Sequence, residues 1–218
     1  MTINVEVISD VVCPWCYIGK RRLAQALELY RASADAPLAV HVSWRPFQLN
    51  PQLPLEGVDR AEYVAAKFGA RAEGTYARVG AVGRSVGIDF AFERILRQPN
   101  TLPAHQLIDF AQRHGKQEQM VETLFRAYFI EGADLTRFDA LVALAQRAGL
   151  QAAAARACLD DDVQRQEVAA EDERARAAGV NGVPFFVFDH RLAVSGAQEP
   201  EVLLRALEQV AVEAVPDA

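Results

Sequence analysis

Cysteine is scarce in this chain, with 3 among 218 residues. That excludes a small secreted scaffold knit by several disulfides. Long apolar runs are missing as well, and none approaches the roughly 18 consecutive residues of a membrane-spanning helix. There is no basic excess. Lys and Arg total 23 against 29 Asp and Glu, a formal charge of −6, so the footprint of a generic nucleic-acid binder is lacking. The chain opens MTINVEVISD, an acidic strand where a secretory signal would carry basic and then apolar residues. No internal repeat or low-complexity linker interrupts it. These absences predict a cytoplasmic globular protein, in keeping with 51% hydrophobic and 24% charged residues.

Two of the three cysteines stand together as Cys13-Pro14-Trp15-Cys16. The segment before them, Ile3 to Ile8, alternates apolar and polar residues like a half-buried strand. After them Ile18, Leu23, Ala24, Leu27 and Tyr30 recur at helical spacing, leaving Lys20, Arg21 and Arg22 for solvent. Pro14 suits the first turn of that helix, where its missing N–H is not needed. Cys13 then sits at the positive end of the helix dipole, which favours a thiolate. A Cys-x-x-Cys opening a helix after a strand reads as a thioredoxin-like redox motif. Zinc would require two further ligands, and only Cys158 and the scattered His41, His105, His114 and His190 remain, so no metal site is expected.

Ala39 to Trp44 reads as a second strand, and Pro46, Pro51 and Pro54 mark an exit from the sheet. From Asp59 to Gly179 strand signals vanish and helical periodicity takes over. The segments are Asp59–Phe68, Glu73–Val86, Leu102–His114, Gln117–Phe129, Thr136–Ala148, Gln151–Leu159 and Asp162–Ala178. Thr136 is the expected cap of the fifth. Gly69, Gly87, Gly115, Gly132, Gly149 and Gly179 serve as stops. Strand character returns at Val183–Asp189 and Arg191–Ser195 around an Asp189-His190 turn, and a last helix runs from Pro200 to Val212. The order β–α–β, helical block, β–β–α predicts an α/β thioredoxin-like fold carrying a large all-helical insertion. Residues 1–54 and 160–218 form the discontinuous thioredoxin-like domain and 55–159 the insertion. The first two strands should be parallel and the last two an antiparallel hairpin on the other side of the sheet.

Five blocks carry a family resemblance: Asp10–Arg22 (DVVCPWCYIGKRR), Trp44–Pro51 (WRPFQLNP), Asn100-Thr101 with His105, Gly182–Val187 (GVPFFV) and Ser195–Gln198 (SGAQ). In this order the chain resembles the DsbA-like thioredoxin-fold oxidoreductases, specifically their FrnE-like branch. The resemblance implies dithiol–disulfide chemistry with no bound cofactor. It implies Cys13 as attacking thiol, Cys16 as the resolving one, and a cis-proline at Pro184 facing them. Val183 would offer its backbone groups to an extended substrate. Asn100, Thr101 and His105 would face the substrate from the insertion, the imidazole being a group that changes charge near neutral pH. Pro14 and Trp15 tune the couple. A histidine at position 15 would help stabilise the thiolate in the DsbA type. With Trp15 there, the expected potential lies between about −120 mV and about −270 mV.

One departure is visible. The family's buried carboxylate, six residues before the first cysteine, is Val7 here; Glu6 points to the opposite face and Asp10 is expected to orient the loop into the Cys helix. Trp44 and Phe47 read as core, and Cys158 as packing in an Ala-rich helix. Expected partners are disulfide- or thiol-containing proteins or small molecules, with glutathione as redox partner, and the chain is read as a monomer or homodimer. Two other functions are alternatives. One is a glutathione-dependent isomerase or transferase acting on a small aromatic or polyketide-like compound, its SGAQ turn holding a carboxylate. The other is a holdase-like chaperone using Tyr63, Phe68, Phe125 and Phe129, although internal packing is the expected fate of these rings.

Overall fold

A computed structural model describes residues 1–33 and 37–214; the end of the second thioredoxin-like segment, 215–218, lies outside them. Strand β1 (Thr2–Ser9) is the centre of the sheet, and its Ile3, Val5 and Val7 are fully buried. Strand β2 (Ala39–Pro46) pairs parallel with it, Val5 opposite Val42 and Ser9 opposite Pro46. On the other side β5 (Phe185–Phe188) pairs antiparallel, Ile8 opposite Phe185, and β6 (Leu192–Ser195) completes the order β2-β1-β5-β6. The hairpin between β5 and β6 turns at Asp189 and His190 with φ of 47° and 55°. Asp189 supports that turn by accepting the Asn4 N–H at 2.7 Å.

Helix α1 (Pro14–Ser33) packs against α9 (Pro200–Ala214). Between β2 and β5 run α2 (Arg60–Phe68), α3 (Ala72–Ser85), α4 (Leu102–Arg113), α5 (Gln117–Arg126), α6 (Phe138–Arg147), α7 (Ala152–Leu159) and α8 (Asp162–Ala177). This block shares its apolar core with the sheet. Tyr17 of α1 stacks on Phe125 of α5 with centroids 4.9 Å apart, and both rings are buried. The free edge of β2 is closed by a side chain. Gln117 accepts the Trp44 N–H at 3.0 Å and donates to its C=O at 3.0 Å, pairing the strand as another strand would.

Four expectations are corrected. Strand structure does not vanish in the helical block: β3 (Val58–Asp59) and β4 (Arg97–Gln98) pair antiparallel, each too short for an alternating pattern. Gln117–Phe129 is not one helix, because α5 ends at Arg126 and Ala127–Glu131 widen into a π-turn that keeps the same apolar face inward. Thr136 does not cap α6. Arg137 holds that position without a side-chain bond, and the Thr136 hydroxyl donates to Asp134 at 2.7 Å instead.

The fourth concerns α1. Lys20 and Arg22 are buried rather than solvated, while Ala24 is exposed and Ala26 takes its place in the core. Lys20 Nζ meets Glu118 at 2.6 Å and Glu122 at 2.9 Å, and Arg21 meets Glu122 at 2.5 Å. Arg22 donates to the Ala197 carbonyl and to Glu199, both at 2.5 Å. Burial pushes the Glu122 carboxyl upward, but the Lys20 and Arg21 cations outweigh it and hold the group below its ordinary value. The cationic stripe after the cysteines thus fastens α1 to α5 and to the loop before α9.

The six glycine stops all take a positive φ. At Gly132 this is most constrained: φ is 71°, and a Cβ there would lie 2.5 Å from the Arg94 carbonyl oxygen. Backbone cannot yield as a side-chain tip can. Gly132→Ala is therefore expected to lower stability by about 2 kcal/mol or more, read as an earlier urea midpoint with an unchanged slope.

Candidate active site

Cys13 is the residue immediately before α1. Its N–H donates to Asp10 O at 3.0 Å, and its own C=O accepts from Cys16 N at 3.0 Å and Tyr17 N at 3.4 Å. Pro14 opens the helix where no N–H is required, and no acidic side chain stands in the first turn to offset the dipole. All three cysteines are free thiols. The Cys13 thiol donates to Val183 O at 3.6 Å, across 170 residues of sequence. Sheet register explains the meeting. With Ile8 opposite Phe185, the residues just beyond β1 necessarily approach those just before β5.

The Val183–Pro184 peptide is cis. Pro184 is packed directly onto α1 at Gly19, where an added Cβ would stand 2.8 Å from the proline Cγ. A glycine three residues after Cys16 is what lets the helix come this close. Cys16 lies beneath, fully buried. Burial pushes its thiol well above the ordinary value, the neighbouring Cys13 adds to this, and bonds from the Ser9 hydroxyl and Asp10 backbone only partly oppose it. One thiol thus lines an opening while the second is held protonated one turn inside.

Val7 is buried among apolar side chains, so no carboxylate occupies the family's position. Asp10 instead places a buried carboxylate in the loop before Cys13. Its Oδ2 accepts the Leu49 N–H at 2.7 Å, and Oδ1 faces His105 Nε2 at 3.5 Å; among the described residues neither Oδ1 nor Nε2 has a hydrogen-bond partner. Buried Asp172 of α8 takes the adjacent Gln48 N–H at 3.2 Å. Two carboxylates on successive amides fix the loop of the WRPFQLNP block, whose Leu49 and Asn50 then reach the opening above Cys13.

That opening is a cleft of about 280 Å³. The cysteine end presents Cys13, Pro14, Trp15, Gly182 and Val183, and α2 and α3 supply Arg60, Tyr63, Lys67, Phe68 and Tyr76. Asn100, Thr101 and His105 do not line it, contrary to the substrate-facing role expected of them. All three are buried. Asn100 is occupied with the Leu53 carbonyl at 2.7 Å and the Leu102 N–H at 2.9 Å, and His105 is turned to Asp10. Tyr63 and Phe68 also depart from expectation, bordering the cleft while Phe125 and Phe129 pack internally. Arg60, Lys67 and Tyr76 were not anticipated, because nothing local in α2 or α3 marks them.

In the SGAQ turn, Gln198 bonds back to Ser195 O at 2.9 Å and Arg22 occupies the Ala197 carbonyl. Cys158 is buried against Gln164 at 3.0 Å, and burial pushes its thiol up to about 12. Trp44 and Phe47 are core residues. Among the described residues no group of three His, Cys, Asp or Glu side chains converges to hold a metal ion.

Comparison with known proteins agrees with this geometry. The DSBA-like thioredoxin domain family matches residues 4–208. The chain belongs to that family. It is 32% identical to a probable DsbA oxidoreductase from Streptomyces coelicolor, covering 99% of this chain and 93% of that one with a TM-score of 0.85. It is 26% identical over 211 residues to the uncharacterized protein YwbO of Bacillus subtilis, covering 95% of this chain and 96% of the relative. The cytosolic disulfide reductase DsbM of Pseudomonas aeruginosa, solved with glutathione, shares the fold at 18% identity, with coverage of 96% and 99% and a TM-score of 0.63.

Cys13 and Cys158 are each only 5% exposed and Cys16 is fully buried, but of the three only Cys13 borders the cleft, immediately before the N-terminus of α1. In the reduced native protein at pH about 8, iodoacetamide should alkylate Cys13 first. Cys16 and Cys158, held protonated, should react slower by roughly a hundredfold or more until the protein is denatured. Peptide mapping of the label measures this; comparable labelling of Cys16 would contradict the assignment.

Proposed function

We propose that the protein is a thiol:disulfide oxidoreductase whose Cys13–Cys16 pair exchanges electrons with substrate disulfides through a mixed disulfide at Cys13. The observation that carries this reading is the placement of the two thiols: Cys13, itself 5% exposed, borders the cleft against Val183 O, and Cys16 lies fully buried behind it. In the reducing direction the Cys13 thiolate attacks one substrate sulfur, forming a Cys13–substrate bond and expelling the other half as a thiolate. Cys16 then loses its proton and attacks Cys13 Sγ. This releases the second half and leaves Cys13–Cys16 as a disulfide. The substrate gains two electrons and the protein loses two.

Pro184 in this scheme shapes the wall beside the thiols, Pro14 and Trp15 set the couple, and Val183 offers backbone groups to an extended chain. Asn100, Thr101 and His105 act at one remove, His105 by holding the Asp10 loop. Glutathione is the proposed partner that resets the pair, a reading supported by the glutathione in the DsbM relative. The motif blocks support the FrnE-like branch, and the cytosolic DsbM relative supports a cytoplasmic setting, with segment 55–159 serving as the wall opposite the cysteines.

The test is a trapping experiment. Cys16→Ser, incubated with a disulfide, is expected to accumulate a dithiothreitol-sensitive adduct on Cys13, seen as a mass increase of one substrate half. Cys13→Ser should form none. An adduct absent from Cys16→Ser, or exchange surviving in Cys13→Ser, would reject the mechanism.

A further inference from the structure

The cleft differs in charge from the rest of the chain. The protein carries −6 overall, yet the cleft's charged lining residues are Arg60 and Lys67, with no Asp or Glu among them. On α1 and β2, by contrast, Lys20, Arg21, Arg22 and Arg45 each face a carboxylate at 2.5–3.1 Å. Among the described residues neither Arg60 nor Lys67 has such a partner. Arg60 donates to the neutral Gln98 amide and to the Tyr76 hydroxyl, and Lys67 to the Tyr63 hydroxyl at 2.7 Å. The Arg60 guanidinium also stands 5.6 Å from the Tyr63 ring centroid and 5.7 Å from that of Tyr76.

These contacts orient Arg60 without neutralising it. A guanidinium has five N–H donors, and a planar fork partly engaged by neutral acceptors keeps the rest for a carboxylate. Two like charges in a concave, partly enclosed wall focus the potential there and concentrate anions. The volume, about 280 Å³, is at the small end of ligand pockets, which span roughly 300–1,000 Å³. It suits a small molecule or a few residues of peptide.

We infer that the cleft selects small disulfides carrying carboxylate groups, with Arg60 and Lys67 as specificity-determining residues that hold the carboxylate while Cys13 attacks the sulfur. This rests on Cys13 being the attacking thiol as proposed above. The Cys13 thiolate forms the new S–S bond, the original S–S bond breaks, and the departing half leaves as a thiolate that takes a proton from water. The retained half keeps its carboxylate on the cations until Cys16 displaces it.

The experiment is stoichiometric, so no further reductant is needed. Pre-reduced full-length protein is mixed separately with the dianion dithiodipropionate, its neutral diamide and the dication cystamine. Formation of the Cys13–Cys16 disulfide is followed by mass, and each rate is divided by that of the same probe with free mercaptoethanol. The expected order is dianion, then diamide, then dication, with the dianion favoured over the diamide about fivefold at low salt. That preference should shrink as salt rises from roughly 20 mM to 500 mM. Lys67→Glu, at an exposed position, should bring the dianion-to-diamide ratio to about one or below, and Arg60→Gln should move it the same way. A normalised ratio near one in the unaltered protein, or one unmoved by Lys67→Glu, overturns the inference while leaving the oxidoreductase reading intact. Failure of all three probes to oxidise the pair overturns that reading and the inference with it.

Discussion

The antiparallel pairing of β1 with β5 is the contact on which the site depends. It joins strands from opposite ends of the chain, and with the turn closed by the Cys13 N–H on Asp10 O it brings Cys13 to Val183. Neither half has a site without the other. The Cys-Pro-Trp-Cys turn provides the thiols and the helix dipole, and Val183-Pro184 provides the wall beside them. Gly19 makes the closure tight, because any side chain there would push Pro184 away from the helix.

A second set of contacts holds the helical block against that centre. Lys20, Arg21 and Tyr17 converge on Glu122, Trp44 reaches Glu118, and Gln117 caps the edge of β2. Glu118 is largely exposed and Glu122 and Arg21 are part-buried, so these pairs add little net stability. Their consequence here is directional. They fix where α5 sits on α1, and with it the core that the helical block and the sheet share. Asp10 and Asp172 act similarly on the loop after β2, taking successive amides of Gln48 and Leu49 and so setting one rim of the cleft.

Much of this was legible in the sequence because it is local. Strand alternation in Ile3–Ile8 and the glycine stops are short-range patterns, and the structure follows them. The π-turn at Ala127–Glu131 escaped because it preserves the apolar face that helical periodicity detects. The two-residue strands β3 and β4 are too short to carry any period. Lys20 and Arg22 looked solvated because their carboxylates lie about a hundred residues away or in a turn near the C-terminus. The same reasoning explains the site. Cys13, Cys16 and Pro184 sit in compact motifs. Arg60, Lys67 and Tyr76 become cleft residues only when α2 and α3 fold over the cysteines, and Asn100, Thr101 and His105 turn out to face the protein rather than the opening.

The central claim is that Cys13 and Cys16 form one reversible two-electron couple. The direct measurement is equilibration of the native protein across a series of glutathione ratios, followed by Trp15 fluorescence and by mass. The account predicts a single two-electron transition, an intramolecular Cys13–Cys16 disulfide as the oxidised species, and Cys158 reduced throughout. A protein that never forms that disulfide, or that only accumulates glutathione on Cys13 with Cys16 unchanged, would contradict it.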